Sequence, residues 1–201
     1  MTDPPPPLDR EAILAALEHH QVAFVLVGGL ACQAHGATRG TKDFDLCPAW
    51  DPENLEKLAG ALRELKAQIK IGEGSIDLLD VRIDAKTIAN MEIGTWRTAA
   101  GDVDVLLGIP RDSRFELTRF EELTANAPTL EVDKWRVPVA SLQDIIRSKE
   151  IAGRTKDREA LAELYALRGD HREGEGFPRS IQHERSTPTQ HYEPPGRGIE
   201  R

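Results

Sequence analysis

The chain has 201 residues, 39% of them hydrophobic and 30% charged, which suits one soluble domain with a substantial core. Its 34 acidic residues outnumber 26 basic ones, and a net charge of −8 argues against a surface that coats nucleic acid. No apolar run approaches the roughly 18 residues of a membrane span, and the N-terminus MTDPPPPLDR lacks the basic and apolar regions of a secretory signal. Cys32 and Cys47 form no disulfide framework. The expectation is a cytoplasmic protein with two reduced thiols and no membrane partner.

Residues 1–8, with four prolines from Pro4 to Pro7, read as an extended arm. Asp9 caps a helix over Arg10 to His20, whose Ile13, Leu14 and Leu17 make one apolar stripe. Val22 to Val27 is an unbroken β-rich run of the kind buried on both faces. Gly28-Gly29 ends it with a tight turn, and Leu30 to His35 reads as a short helix. Beyond a loop bracketed by Gly36 and Gly40, Lys42-Asp43-Phe44-Asp45-Leu46 alternates charge with hydrophobe. At strand spacing, Asp43 and Asp45 share one face while Phe44 and Leu46 take the other.

Asp51-Pro52 opens a helix that reaches Ala67 with a leucine stripe at 55, 58, 62 and 65. Ile69 to Ile71 and Ile76 to Val81 are β-like pieces broken by glycines, and Asp84 caps a short helix, Ala85 to Met91. Glu92 to Thr98 and Asp102 to Gly108 form a hairpin around Ala99-Ala100-Gly101, with Pro110 ending the second strand. That strand carries Asp104 between valines. Asp102 shares its face and is the alternative to Asp104 as ligand, but its place directly after Gly101 suggests turn duty and favours Asp104. Phe115 to Thr124 reads as helical, and Leu130 to Val132 and Trp135 to Val139 as a hairpin turning at Asp133-Lys134. Ser141 with Asp144 starts a helix to Ala152, and a last helix spans Asp157 to Leu167. Domain 9–168 thus ends in a helical part, 141–168. Residues 169–201, rich in Gly, Pro and polar residues, read as a disordered tail.

Chemistry concentrates on three strand-borne acids: Asp43, Asp45 and Asp104. Two carboxylates side by side repel, and a divalent cation between them relieves the repulsion. Such a pair with a third acid meets the needs of a two-metal phosphoryl or nucleotidyl transfer. The amides of Gly28 and Gly29 can hold a triphosphate, and Thr41 and Arg39 stand just before the acids. A basic cluster follows at Arg147, Lys149, Arg154, Lys156 and Arg158; taken alone it reads as a solvated helix face. His35 reads as packing or capping.

Gly28-Gly29-Leu30, Asp43-Phe44-Asp45-Leu46 and Val103-Asp104-Val105 together resemble the signature of the nucleotidyltransferase superfamily related to DNA polymerase β. Ser141 to Lys149, followed by Ala152 to Asp157, is similar to the branch that includes the AbiE-type toxins of type IV toxin–antitoxin systems. The match runs from Val22 to Leu167. It implies an α/β (α+β) nucleotidyltransferase fold, a short mixed β-sheet flanked by helices.

By that resemblance, Asp43, Asp45 and Asp104 are catalytic and bind two Mg²⁺ ions, with Mn²⁺ as a substitute. Asp104 is the third ligand and the base toward the acceptor. Gly28, Gly29, Thr41, Lys149, Arg154, Lys156 and Asp157 form the nucleotide and phosphate site. The implied reaction moves NMP from an NTP, ATP among them, to an acceptor hydroxyl on tRNA, a protein or a small molecule such as an aminoglycoside. A toxin role brings a cognate antitoxin as partner. The family turn often carries Ser where Leu30 stands. That departure motivates the alternative, a catalytically degenerate member of the fold that binds a nucleotide or partner and transfers nothing.

Overall fold

The structure, a computed structural model, describes residues 6–71, 77–79 and 81–169, with backbone alone at 77–79. Helix α1 (Arg10–His19) starts where Asp9 accepts the Ala12 N–H at 3.0 Å, as its capping position predicts. Strand β1 (Phe24–Leu26) follows, then α2 (Gly28–Ala34) and β2 (Asp43–Pro48). The glycine pair therefore forms the first turn of α2 and does not precede it.

Asp51 caps α3 (Pro52–Glu64). Lys66, at φ +56°, breaks the helix two residues on, short of the expected Ala67. Next come β3 (Gln68–Ile71), β4 (Asp77–Leu79), α4 (Ala85–Ala89) capped by Asp84, β5 (Ile93–Thr98) and β6 (Gly101–Leu106).

The stretch after β6 departs from expectation. Pro110 does not end the second strand of the hairpin, since β6 stops at Leu106; it lies in a separate strand, β7 (Ile109–Pro110), which pairs with β8 (Leu117–Thr118). Helix α5 (Phe120–Asn126) then starts five residues later than the predicted Phe115, with Glu121 and Glu122 in its first turn. The hairpin of β9 (Thr129–Val132) and β10 (Trp135–Pro138) turns at Asp133-Lys134 as expected. Ser141 caps α6 (Leu142–Ala152), and Gly153, at φ +61°, turns the chain into α7 (Thr155–Arg168). Of the expected arm, residues 6–8 are described, and Leu8 packs against the core. The expected tail lies outside the described residues from 170 onward.

Six strands form one mixed sheet in the order β1-β2-β6-β5-β3-β4. Strands β2 and β6 run parallel, and the other neighbours are antiparallel. Phe44, Leu46, Val103, Val105 and Trp96 are fully buried in one cluster with Ile13, Leu14 and Leu17 of α1 and Leu55, Leu58 and Leu62 of α3. Burying such side chains contributes roughly 1.5–3 kcal/mol each. The cluster holds β2 and β6 in place from one side and leaves their other face free for polar groups. Among the described residues, no helix is long and apolar enough to cross a membrane.

Candidate active site

Parallel pairing sets Asp43 opposite Asp102 and Asp45 opposite Asp104. Side chains alternate along a strand, so all four carboxylates leave the same face of the sheet. Above them, α2 begins at Gly28, whose φ of +65° favours glycine. A Cβ at Gly28 would overlap the Asp45 carboxylate, and the Gly29 N–H donates to Asp45 Oδ2 at 3.4 Å. The missing side chains bring backbone and carboxylate together.

Burial, then the charges of Asp104 and Asp43, push the Asp45 carboxyl up to about 6, against the pull of the Gly29 hydrogen bond and Lys156. Burial likewise raises Asp104 above the usual carboxylate range; a hydrogen bond from Thr95 opposes it and the Asp43 charge adds to it. The Oδ1 atom of Asp104 is buried with no hydrogen-bond partner. An unpaired buried oxygen between crowded carboxylates fits a divalent cation, which accepts oxygen ligands and relieves the repulsion.

Asp102 is different. It is 6% exposed, accepts hydrogen bonds from Arg97 Nε at 2.6 Å and Lys70 Nζ at 2.8 Å, and is no turn residue. Burial works against its charge, but the two cations outweigh burial and hold its carboxyl below the ordinary range. Asp102→Asn is expected to lower unfolding free energy by about 3 kcal/mol, because it leaves two part-buried cations unpaired. Chemical denaturation at neutral pH checks this, and an unchanged midpoint would contradict a structural role.

The opposite wall comes from α6 and α7. Asp157 is 0% exposed, and receives Arg154 Nε at 2.6 Å and Lys149 Nζ at 3.2 Å. Burial alone would raise its carboxyl; the Arg154 hydrogen bond and the Lys149 charge prevail and lower it. One buried anion thus fixes two cations, Lys149 on α6 and Arg154 at the N-cap of α7.

A cleft of about 500 Å³ lies between the walls. It brings together Gly28, Gly29, Thr41, Asp43, Asp45, Asp104, Lys149, Arg154, Lys156 and Asp157. Arg39 lines it as well, ion-paired to Glu159 at 2.7 Å, whereas Arg147 and Arg158 of the basic cluster are not among its lining residues. Leu30 points into the core at 2% exposure. The hydroxyl beside the glycine pair belongs to Thr41, whose Oγ1 lies 2.5 Å from where a Cβ on Gly29 would sit. His35 donates from Nε2 to the Ala140 carbonyl at 2.8 Å, tying α2 to the approach of α6. Cleft residues not foreseen are Arg114, Ser148, Glu163 and an apolar group including Ile93, Leu106 and Ile109. Ser148 had a local signal, being next to Lys149; the others depend on the β7–β8 excursion and the approach of α7.

The fold is the nucleotidyltransferase fold. No protein-family model matches the chain, and no curated protein matches it in sequence. The likeness is to solved structures. The solution structure of the antibiotic-resistance factor ANT(2'')-Ia aligns at a TM-score of 0.50 and 17% identity, covering 80% of this chain and 82% of that one. A crystal structure of ANT(2'')-Ia with adenylyl-2''-tobramycin aligns at 0.46 and 17% identity, over 80% and 92% of the two chains. The lincosamide antibiotic adenylyltransferase LnuA, bound to lincomycin, aligns at 0.49 and 12% identity, over 81% and 99%.

Proposed function

We propose that the protein is a metal-dependent nucleotidyltransferase that moves NMP from an NTP to the hydroxyl of a small molecule, releasing pyrophosphate. The observation that carries this reading is the unpaired Oδ1 of Asp104 beside Asp45 and Asp43, facing a fixed basic wall across one cleft. Asp43, Asp45 and Asp104 would hold Mg²⁺ or Mn²⁺, which when bound stabilises charge on the transferring phosphate and lowers the pKa of the attacking hydroxyl.

Lys149, Arg154 and Lys156 bind the triphosphate, with Asp157 orienting the first two. Gly28 brings its backbone N–H to it while Gly29 stays on Asp45, and Thr41 supplies the hydroxyl that Leu30 does not. The acceptor oxygen bonds to the α-phosphorus as the bond to the bridging oxygen breaks. Asp104 takes the hydroxyl proton.

Support for a small acceptor comes from the cleft's volume, within the range of small-molecule sites. Lys149, Arg154 and Lys156 are committed to the triphosphate and Arg39 pairs with Glu159, leaving little basic surface in the cleft to track a nucleic-acid backbone. A solved structure of this fold, ANT(2'')-Ia, is described as an antibiotic-resistance factor, which is consistent with a small acceptor. A macromolecular acceptor is the second reading, a tRNA end or protein side chain in a toxin with its antitoxin. One observation favours it: Phe115, 96% exposed, stands beside the cleft residue Arg114 and offers a stacking surface for an unpaired base.

Incubating the full chain with each radiolabelled NTP, Mg²⁺ or Mn²⁺, total tRNA and a panel of hydroxylated small molecules tests both. Label is expected on a small molecule, with stoichiometric pyrophosphate. Label on tRNA or protein would move the assignment to the second reading. NTP binding without transfer to any acceptor would identify a binding module.

A further inference from the structure

Away from the cleft, where α1 meets the end of α3, three ligand-type side chains converge. His19 ends α1, His20 is its C-cap, and Glu64 ends α3. His19 Nδ1 lies 2.8 Å and His20 Nε2 2.9 Å from the same atom, Oε2 of Glu64. All three ligand atoms fall within 4.8 Å of one another. The rings are tilted by 53° with centroids 4.9 Å apart, so their nitrogens converge and the rings do not stack face to face.

The helix opposite is shaped to seat one of these rings. Gly60 stands inside α3, where glycine costs roughly 1 kcal/mol relative to alanine. A Cβ there would come within 2.5 Å of His20 Nδ1. The space that glycine leaves open holds the His20 imidazole with Nε2 directed at Glu64.

We propose that His19, His20 and Glu64 form a binding site for a transition-metal dication of the zinc class, separate from the carboxylate cluster. Imidazole nitrogens favour Zn²⁺ over Mg²⁺, whereas the oxygen-only set in the cleft favours Mg²⁺. Zinc bonds of about 2.0–2.2 Å place tetrahedral ligand atoms about 3.3 Å apart, so the two short separations need to open by only about half an ångström. Three protein ligands leave a fourth position for water. At 72% exposure for His19 and 44% for Glu64, the site is open to solvent. Once bound, it links the C-terminal ends of α1 and α3, which belong to the same core cluster.

Calorimetric titration of the full chain with Zn²⁺ in excess Mg²⁺ tests the site, with Co²⁺ absorption as a second readout of ligand geometry. Wild type is expected to bind one ion that His19→Ala and Glu64→Gln each weaken at least tenfold. Zn²⁺ should raise the thermal midpoint of wild type and leave both variants unmoved. Both substitutions are at exposed helix ends, and circular dichroism verifies their folding. Each variant keeps the histidines beyond residue 169, so any ion bound there is common background. Loss of less than tenfold in either variant, or no Zn²⁺ binding by wild type, overturns the proposal.

Discussion

Replacing Asp45 by Asn is expected to cut nucleotidyl transfer by roughly 10³-fold or more, and at the same time to make the metal-free protein more stable. The Asp45 carboxyl sits at about 6 in the fold against 3.8 in its ordinary state, chiefly through burial and then the neighbouring acids. Between those values the native state still holds a proton that the unfolded chain has released. Stability therefore falls as pH rises from about 4 to about 6, and stays reduced above.

The interval corresponds to about 3 kcal/mol at neutral pH, and Asn removes the charge without removing the Gly29 hydrogen bond. Urea denaturation in chelator at pH 8 should show the variant more stable, with the gap closing near pH 4. Added Mg²⁺ should then stabilise wild type alone, by binding only its folded state. A variant less stable than wild type at pH 8 would mean that the acid cluster is not strained and needs no cation.

Asp157→Asn has the opposite signature. This side chain is 0% exposed and fixes Lys149 and Arg154 from two helices, so losing its charge leaves both cations without their anchor. We expect a loss of about 3–5 kcal/mol in unfolding free energy. Its folded carboxyl lies below the ordinary range, so its contribution is present above that range and disappears as pH falls through the folded value. Acid therefore erases the difference between variant and wild type from the high side, by weakening wild type. In transfer assays, KM for the NTP should rise more than tenfold while kcat changes less, because the role proposed for the two cations is to position phosphate before reaction. Equal losses in kcat and kcat/KM would instead place Asp157 in the transition state.

Much of this arrangement was legible in the chain itself. Helix starts were marked by Asp9, Asp51, Asp84 and Ser141, each capping as its position predicted. Alternation around Phe44 and Leu46 placed Asp43 and Asp45 on one face, because a half-buried strand has a period of two. Features requiring distant partners were hidden. The short β7–β8 pairing interrupts a stretch that resembles continuous helix, since only contact across the loop holds it.

The role of Asp102 depended on Lys70 in β3, a strand whose glycine-broken surroundings obscured its register against β5. Conversely, Leu30 looked like the loss of a functional hydroxyl. The close approach of Thr41 to Gly29, set by how the loop before β2 folds back, puts a hydroxyl there from another part of the chain.

The register of β2 against β6 also bears on how the chain finds its fold. With Asp43 and Asp45 opposite Asp102 and Asp104, a slip of either strand by one residue would turn its two acids into the apolar interior and bring two of its hydrophobes out. Parallel strands far apart in sequence pair slowly and are prone to trial arrangements. Here every arrangement offset by one residue is penalised by buried charge. The acids that crowd the finished cleft thus also specify the register of the two strands, because an offset of one residue would bury them.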